Sequence, residues 1–279
     1  EDVVYFGDTG RVPYGTRSVE TIKKYTLQDE KFLLKNDVKL IVAACGTVSS
    51  VASDTALQLP VPFFEVVSHA SKNAVKATKN GKIGVIGTNA TVKSEQHKKH
   101  IQKIMPKAEV LTCSCPLFVP LVEEGLLEDP VTDEIARRYL TELIDLDIDT
   151  LILGCTHYPL IRSTLGKIMG AEVNLVNPAY ETALELKELL QEKNLLNGKH
   201  PALGETQYQF FVSDKAEKFK TFANSIIKYG ILSAKTINID AAAVKLIRRQ
   251  YDIYSDFFFF LCITYCLGSS GISFTENAS

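Results

Sequence analysis

The segment Val38–Thr47 (VKLIVAACGT) recurs in kind at Ile148–Thr156 (IDTLILGCT): a polar lead, an apolar strand, a small residue, then Cys with Thr one or two positions on. Near-continuous apolar strands of this kind require a sheet covered on both faces. Further strand candidates are Val3–Gly7, Leu40–Ala44, Pro62–Val67, Lys82–Ile86, Glu109–Cys113, Thr150–Leu153, Asn174–Val176, Tyr208–Val212 and Thr236–Ile239. Between them run amphipathic stretches, among them Ser18–Leu34, Ser68–Thr78, Ser94–Ile104, Asp133–Leu143 and Thr182–Lys193. The alternation predicts an α/β fold of two pseudo-symmetric domains with mainly parallel sheets flanked by helices.

The predicted division is 1–80 with 208–240 as one domain, 81–207 as the second, and 241–279 as an unmatched tail. A length of 279 residues fits about two domains. Around the second cysteine there are four strands (KIGVIGT, EVLTC, TLILGC, NLVNP), and around the first only three (VVYFGD, LIVAAC, PFFEV). The first half therefore lacks an opening strand of the IGV type, expected before Glu1. In the tail, Ala241–Arg249 reads as a short helix, and Asp256–Leu267 is an apolar run tied to no earlier period. That run is shorter than the roughly 20 residues needed to span a bilayer.

Composition narrows the function. The 31 Lys+Arg against 33 Asp+Glu leave a net charge of -2, which gives no electrostatic case for a nucleic-acid or acidic-membrane partner. Six cysteines are too few for a disulfide scaffold and fit no zinc spacing, so no metal is expected and a reducing, cytoplasmic setting is. Gly84-Val-Ile-Gly87 lacks the third glycine and downstream acid of a dinucleotide site, and no lysine with phosphate-binding glycines stands out, so no cofactor is expected.

Each repeated cysteine, Cys45 and Cys155, sits where a strand ends and a helix begins, the edge at which open α/β sheets bind ligands. The helix N-terminus favours thiolate, its N–H groups suit a carboxylate, and Thr47 or Thr156 can cap the turn or bind a ligand. One such cysteine is weak evidence, because free Cys is among the most buried residue types. Two in matching halves predict thiols face to face across one cleft. Paired acid/base groups of this kind invert a stereocentre: one removes a proton from one face and the other returns a proton to the opposite face.

Six segments resemble glutamate racemase, the cofactor-independent enzyme that supplies D-glutamate for peptidoglycan: DVVYFGDTGRVPYG (2–15), VAACGT (42–47), IGVIGT (83–88), PLVEEG (120–125), GCTHYP (154–159) and NPAYETA (177–183). The resemblance covers about residues 1 to 240. It implies an active site between the domains, with Cys45 and Cys155 catalytic, Cys45 serving D-glutamate and Cys155 L-glutamate, assisted by His157 and Glu123. Substrate contacts fall on Tyr14, Gly15, Gly46, Thr47, Thr156 and His157, and on Thr88 or Thr91. It also brings in a homodimer as the assembly. Aspartate or another small acid as substrate, and a non-catalytic chain, are the alternatives. The family's Asp-Ser-Gly strand end, which contacts substrate, is not found. Gly46 stands where the family has Asn, which predicts a looser turn and a lost hydrogen bond of about 1.5–3 kcal/mol.

Several residues have plainer readings. Glu123-Glu124 is by default a solvated loop pair, Pro13-Tyr14-Gly15 a turn, and Asp8-Thr9 a cap. His97 and His100, among lysines, read as a wet helix face. Of Cys113 and Cys115 at least one is expected in the core, and Cys262 and Cys266 are given no role.

Overall fold

The structure is a computed structural model. It describes residues 1–197, 208–227, 230–231 and 233–240, and the backbone of 258–261. The expected helix Ala241–Arg249 and the cysteines Cys262 and Cys266 lie outside the described residues.

Among the described residues, ten parallel-paired strands form two sheets. They are β1 (Val3–Gly7), β2 (Val38–Ala43), β3 (Phe63–Glu65), β4 (Lys82–Gly87), β5 (Glu109–Ser114), β6 (Thr150–Leu153), β7 (Asn174–Val176), β8 (Tyr208–Val212), β9 (Lys235–Thr236) and β10 (Phe258–Leu261). The first sheet runs β3-β2-β10-β1-β8-β9 and the second β5-β4-β6-β7. Each sheet with its helices is called a lobe below. β2 and β6, which lead into the two cysteines, are buried along their whole length, as sheets covered on both faces require.

Side-chain caps set the element ends. Ser18 accepts from the Thr21 N–H and opens the helix Val19–Leu34. β3 is shorter than expected because the Glu65 carboxylate accepts from the Val67 and Ser68 N–H groups and starts the helix Val66–Ala77. The stretch expected as Ser94–Ile104 is two helices, Asn89–Ser94 and Gln96–Ile104, broken at Glu95, whose φ is 55°. Asn177 caps a helix that starts at Pro178, four residues before the apolar period becomes visible.

Two expectations are corrected. His97 is not on a wet face: it is 3% exposed. Its Nδ1 lies 3.1 Å from Ser71 Oγ, which itself donates to the Val67 carbonyl at 2.7 Å, so Nδ1 carries the proton. Burial, and secondarily His100, push its pKa down to about 3, and an imidazole neutral at every physiological pH is free to enter a core. Second, the phenylalanine run is not detached. The backbone of β10 lies parallel between β1 and β2, pairing Val3 with Phe259 and Leu40 with Phe259. When the two cysteine strands are matched, β3-β2-β10-β1 corresponds to β7-β6-β4-β5, so β10 runs in the position of the IGV strand.

Cys115 is fully buried and Cys113 partly so, in keeping with the core expectation. Leu140 lies in the same apolar cluster with no exposure, whereas Leu57 is 85% exposed. Leu140→Ala should lower unfolding free energy by about 2–5 kcal/mol in urea denaturation, and Leu57→Ala should change it by less than about 0.5 kcal/mol. Equal effects would contradict this packing.

Candidate active site

β2 delivers Cys45 as the N-cap of the short helix Gly46–Val51, in extended backbone conformation. Ser49 fastens this turn: its hydroxyl donates to the Ala43 carbonyl at 3.0 Å and accepts from the Val66 N–H at 3.2 Å. The Cys45 thiol is half-buried.

β6 delivers Cys155 through Gly154, whose N–H donates to the Ile86 carbonyl at 2.7 Å. Beyond the thiol, Tyr158 is fully buried and its hydroxyl donates to the Cys115 carbonyl at 2.8 Å. The Tyr158 ring meets Phe118 edge-on at 5.2 Å. Phe118 opens the helix Phe118–Glu123, so this aromatic contact fixes where Glu123 ends up. Glu123 is thus no solvated loop residue: its Oε1 lies 3.2 Å from His157 Nε2, while His157 Nδ1 lies 3.8 Å from Cys155 Sγ.

This chain of three groups sets the charge at the second thiol. Burial alone disfavours the His157 imidazolium, but its hydrogen bonds and charge interactions with Cys155 and Glu123 outweigh that and raise its pKa to about 9. The hydrogen bond to His157 in turn lowers the Glu123 pKa against the effect of burial, with Lys218 adding to the lowering. At neutral pH the ring is therefore a cation that donates to Glu123 and toward the sulfur. Beside Glu123 opens a cavity of about 220 Å³, lined also by Thr9, Gly10, Val12, Asp214, Lys215 and Lys218.

The two cysteine turns meet. A Cβ built on Gly46 would lie 2.2 Å from the Gly154 carbonyl oxygen, so the backbone next to Cys45 rests on the backbone next to Cys155. The space a side chain at position 46 would fill is taken by the other lobe. A seam of hydroxyls runs alongside, with Thr47 Oγ1 2.9 Å from Thr88 Oγ1, and that atom 3.1 Å from Thr91 Oγ1. Thr88 also caps the helix Asn89–Ser94 by accepting from the Thr91 N–H. Gly15 reaches the same seam, its Cβ position 2.5 Å from Thr88 Cβ. Thr156 Oγ1 is 3.3 Å from His157 Nδ1.

Tyr14 is turned inward. Its hydroxyl is engaged by Asp8 and, at 3.0 Å, by Asp29. Arg11 completes the cluster, bonded to Asp8 at 2.7 Å and Asp29 at 2.9 Å, with its guanidinium 4.1 Å over the Tyr25 ring. Burial, then the neighbouring Asp8, hold the Asp29 carboxyl well above the usual carboxylate range. Sequence reasoning missed Arg11 and Asp29; the one available signal was an acid on the buried side of an otherwise amphipathic helix. Among the described residues no group of three or more His, Cys, Asp or Glu is arranged to hold a metal ion.

The Asp/Glu/Hydantoin racemase family matches residues 3–184. The chain belongs to that family. It is 43% identical to a glutamate racemase of Geobacter metallireducens over 228 residues, 81% of this chain and 83% of the relative. A glutamate racemase of Thermoanaerobacter sp. strain X514 is 41% identical over 240 residues, 86% of this chain and 89% of the relative. Among solved structures, the Francisella tularensis glutamate racemase in complex with D-glutamate matches with a TM-score of 0.79 and 34% identity, covering 86% of this chain and 89% of that one. A Bacillus anthracis glutamate racemase matches with a TM-score of 0.81 and 34% identity, covering 85% and 88%.

The raised pKa gives a pH window. Protonated His157 stabilises the fold fully below the unfolded-state value of 6.5, and that contribution is lost as pH rises through about 9. An NMR titration of the His157 ring should show a midpoint near 9, falling toward 6.5 in Glu123→Gln. A midpoint at or below 6.5 in the unaltered protein would contradict the ion pair.

Proposed function

We propose that this chain interconverts L- and D-glutamate without a cofactor, supplying D-glutamate for peptidoglycan, and that Cys45 and Cys155 act as the two acid/base groups. The observation that carries the reading is the apposition of the two cysteine turns at Gly46 and Gly154, which brings the equivalent ends of two related sheets together. The names of the relatives favour glutamate over aspartate as the substrate.

In the D to L direction the Cys45 thiolate takes the α-proton from one face of D-glutamate, and the Cys155 thiol gives a proton to the other face. In the L to D direction the roles exchange. The carbanion formed between these steps is very basic, so the site must hold it with donors and exclude water. The hydroxyls of Thr47, Thr88 and Thr156 and the backbone of Gly15 and Gly46 are suited to the carboxylates and amine of the substrate. Tyr14 serves by fixing the turn that carries Gly15, since its own hydroxyl is engaged by Asp8 and Asp29. His157, paired with Glu123, stands beside Cys155 and assists it in the half-reaction that starts from L-glutamate. The division of the chain into 1–80 with 208–240 and 81–207 belongs to the same proposal and is supported by the membership of the two sheets. So do a homodimer and a cytoplasmic setting, which rest on the family resemblance. No helix among the described residues is long and apolar enough to cross a membrane.

Cys45→Ser and Cys155→Ser should each lower racemisation by about 10²–10⁴-fold, the usual worth of a positioned acid/base group. In heavy water, α-hydrogen exchange of D-glutamate should be lost in the first variant and that of L-glutamate in the second. Undiminished exchange in both would remove the thiols from the mechanism.

A further inference from the structure

Apart from the pair assigned above, two further sulfur atoms stand together. Cys113 lies near the end of β5, and Cys115 comes one residue after that strand ends at Ser114. Their sulfurs are 3.8 Å apart, with the Cys115 thiol donating to the Cys113 sulfur. Cys113 is half-buried and its thiol donates to the Tyr139 carbonyl at 3.2 Å, while Cys115 is fully buried. Residues two apart are separated by no more than about 7 Å between Cα atoms, close to the upper limit that a disulfide bridges. The sulfurs already share one side of the chain, so they need only close from 3.8 Å to about 2.05 Å. The backbone there is free to give. Among the described residues β5 is the outer strand of its sheet, paired with β4 on one side. The two thiols are also unequal. The hydrogen bond from Cys115 lowers the Cys113 pKa against burial and the Glu142 charge. The same bond, then burial and the Cys113 charge, hold the proton on Cys115. The member nearer solvent, Cys113, is therefore the one favoured as thiolate.

We infer that Cys113 and Cys115 form a modification site: a hydroperoxide closes them to a disulfide, a thiol reopens them, and the closure disturbs the Glu123–His157 pair behind Cys155. Only its effect on turnover rests on the racemase reading above. In the first step the Cys113 thiolate attacks one oxygen of the hydroperoxide. An S–O bond forms, the O–O bond breaks, and the departing oxygen leaves as an alcohol, or as water from hydrogen peroxide, on taking a proton from solvent. The sulfur is oxidised by two electrons and the peroxide is reduced by two. Cys113 is then a neutral sulfenic acid, so the charge that kept the proton on Cys115 is gone. In the second step the Cys115 sulfur attacks Cys113. The S–S bond forms, the S–O bond breaks, and the hydroxide leaves as water with the Cys115 proton. Two thiols of a reductant reverse the change by exchange and become a disulfide themselves. In a reducing compartment such a bond is transient and reports an oxidant.

The Cys115 carbonyl carries the effect to the site. It accepts from the Tyr158 hydroxyl at 2.8 Å and from the Phe118 N–H at 3.2 Å. The Tyr158 N–H donates to the Cys155 carbonyl at 3.1 Å, and Phe118 opens the helix that ends at Glu123. One backbone group thus braces both sides of the relay. Drawing the Cys115 sulfur onto Cys113 pulls this carbonyl with it. Glu123 and His157 lie 3.2 Å apart, so a displacement of about 1 Å takes them out of hydrogen-bond range. Cys45 stands on the other lobe, so the effect falls first on the step that begins at Cys155.

The test treats the full chain and its Cys113→Ser form with hydrogen peroxide, blocks the remaining free thiols, and locates each oxidised cysteine by peptide mass. The inference expects the peptide holding Cys113 and Cys115 to lose two hydrogens and to regain them with dithiothreitol. In the oxidised chain the midpoint of the His157 ring titration should fall from its reduced value of about 9. Exchange of the α-hydrogen of L-glutamate in heavy water should drop by about tenfold or more beyond the loss in equally treated Cys113→Ser, and return with dithiothreitol. That comparison separates the effect from oxidation of Cys45 and Cys155, which both forms keep. Untreated Cys113→Ser should behave as the untreated chain; should it not fold, Cys113→Ala takes its place. If Cys113 and Cys115 stay unpaired while other cysteines oxidise, the inference is overturned. A disulfide that leaves the His157 titration or, in a racemising chain, the L-glutamate exchange where it was overturns it too. If the unaltered chain does not racemise, the racemase reading falls, and the mass and titration measurements still decide the inference.

Discussion

Where the backbone of Gly46 rests on the carbonyl of Gly154, two sheets built to the same plan touch at the edges that carry the two cysteines. The rest of the molecule can be read as support for that contact. Fully buried parallel strands carry each cysteine to a sheet edge with little freedom of position, since a one-residue slip would turn an apolar strand inside out. Ser49 pins the first turn, and the Gly154 bond to Ile86 pins the second. Tyr158 and Phe118 then hold the relay of Glu123 and His157 behind the second thiol. None of these interactions is exceptional in strength, but together they fix the two turns that carry the thiols.

The two halves are alike in path and unlike in electrostatics. At Cys155 the histidine sits two residues along and is charged at neutral pH, drawn up to a pKa of about 9 by its partners. On the first lobe the buried charge lies further back, in the cluster of Asp8, Arg11, Tyr14 and Asp29, which anchors the turn bearing Gly15. A pseudo-symmetric enzyme acting on mirror-image substrates need not be symmetric in its side chains. Each thiol needs only a surrounding that lets it change protonation state during the cycle.

Much of this was legible in the sequence because it is local. Continuous apolar runs ending in Cys-Thr or Cys-Gly-Thr mark strand, turn and helix start within ten residues, and Ser18 opens its helix where the sequence places it, whereas Asp129 and Asn177 cap theirs a few residues ahead of the expected starts at Asp133 and Thr182. What could not be read depends on contacts distant in sequence. His97 looks solvated among lysines, and only the packing of its helix on the one containing Ser71 makes it a neutral core residue. Asp29 looks like an exposed helix acid until Arg11 and Tyr14 arrive from another segment. The backbone of Phe258–Leu261 enters the middle of the first sheet, a pairing with Val3–Tyr5 that no local period encodes. At Gly46 the sequence says nothing of the Gly154 carbonyl, which lies where a side chain would stand.

The central claim is that two thiols attend opposite faces of a single carbon. The most direct measurement is the fate of the α-proton during the first turnovers of D-glutamate in heavy water with the unaltered protein. Two facing thiols predict L-glutamate carrying deuterium from its first appearance, formed while the remaining D-glutamate is still protiated. L-glutamate that retains the original proton would mean one group serving both faces, and would contradict the account.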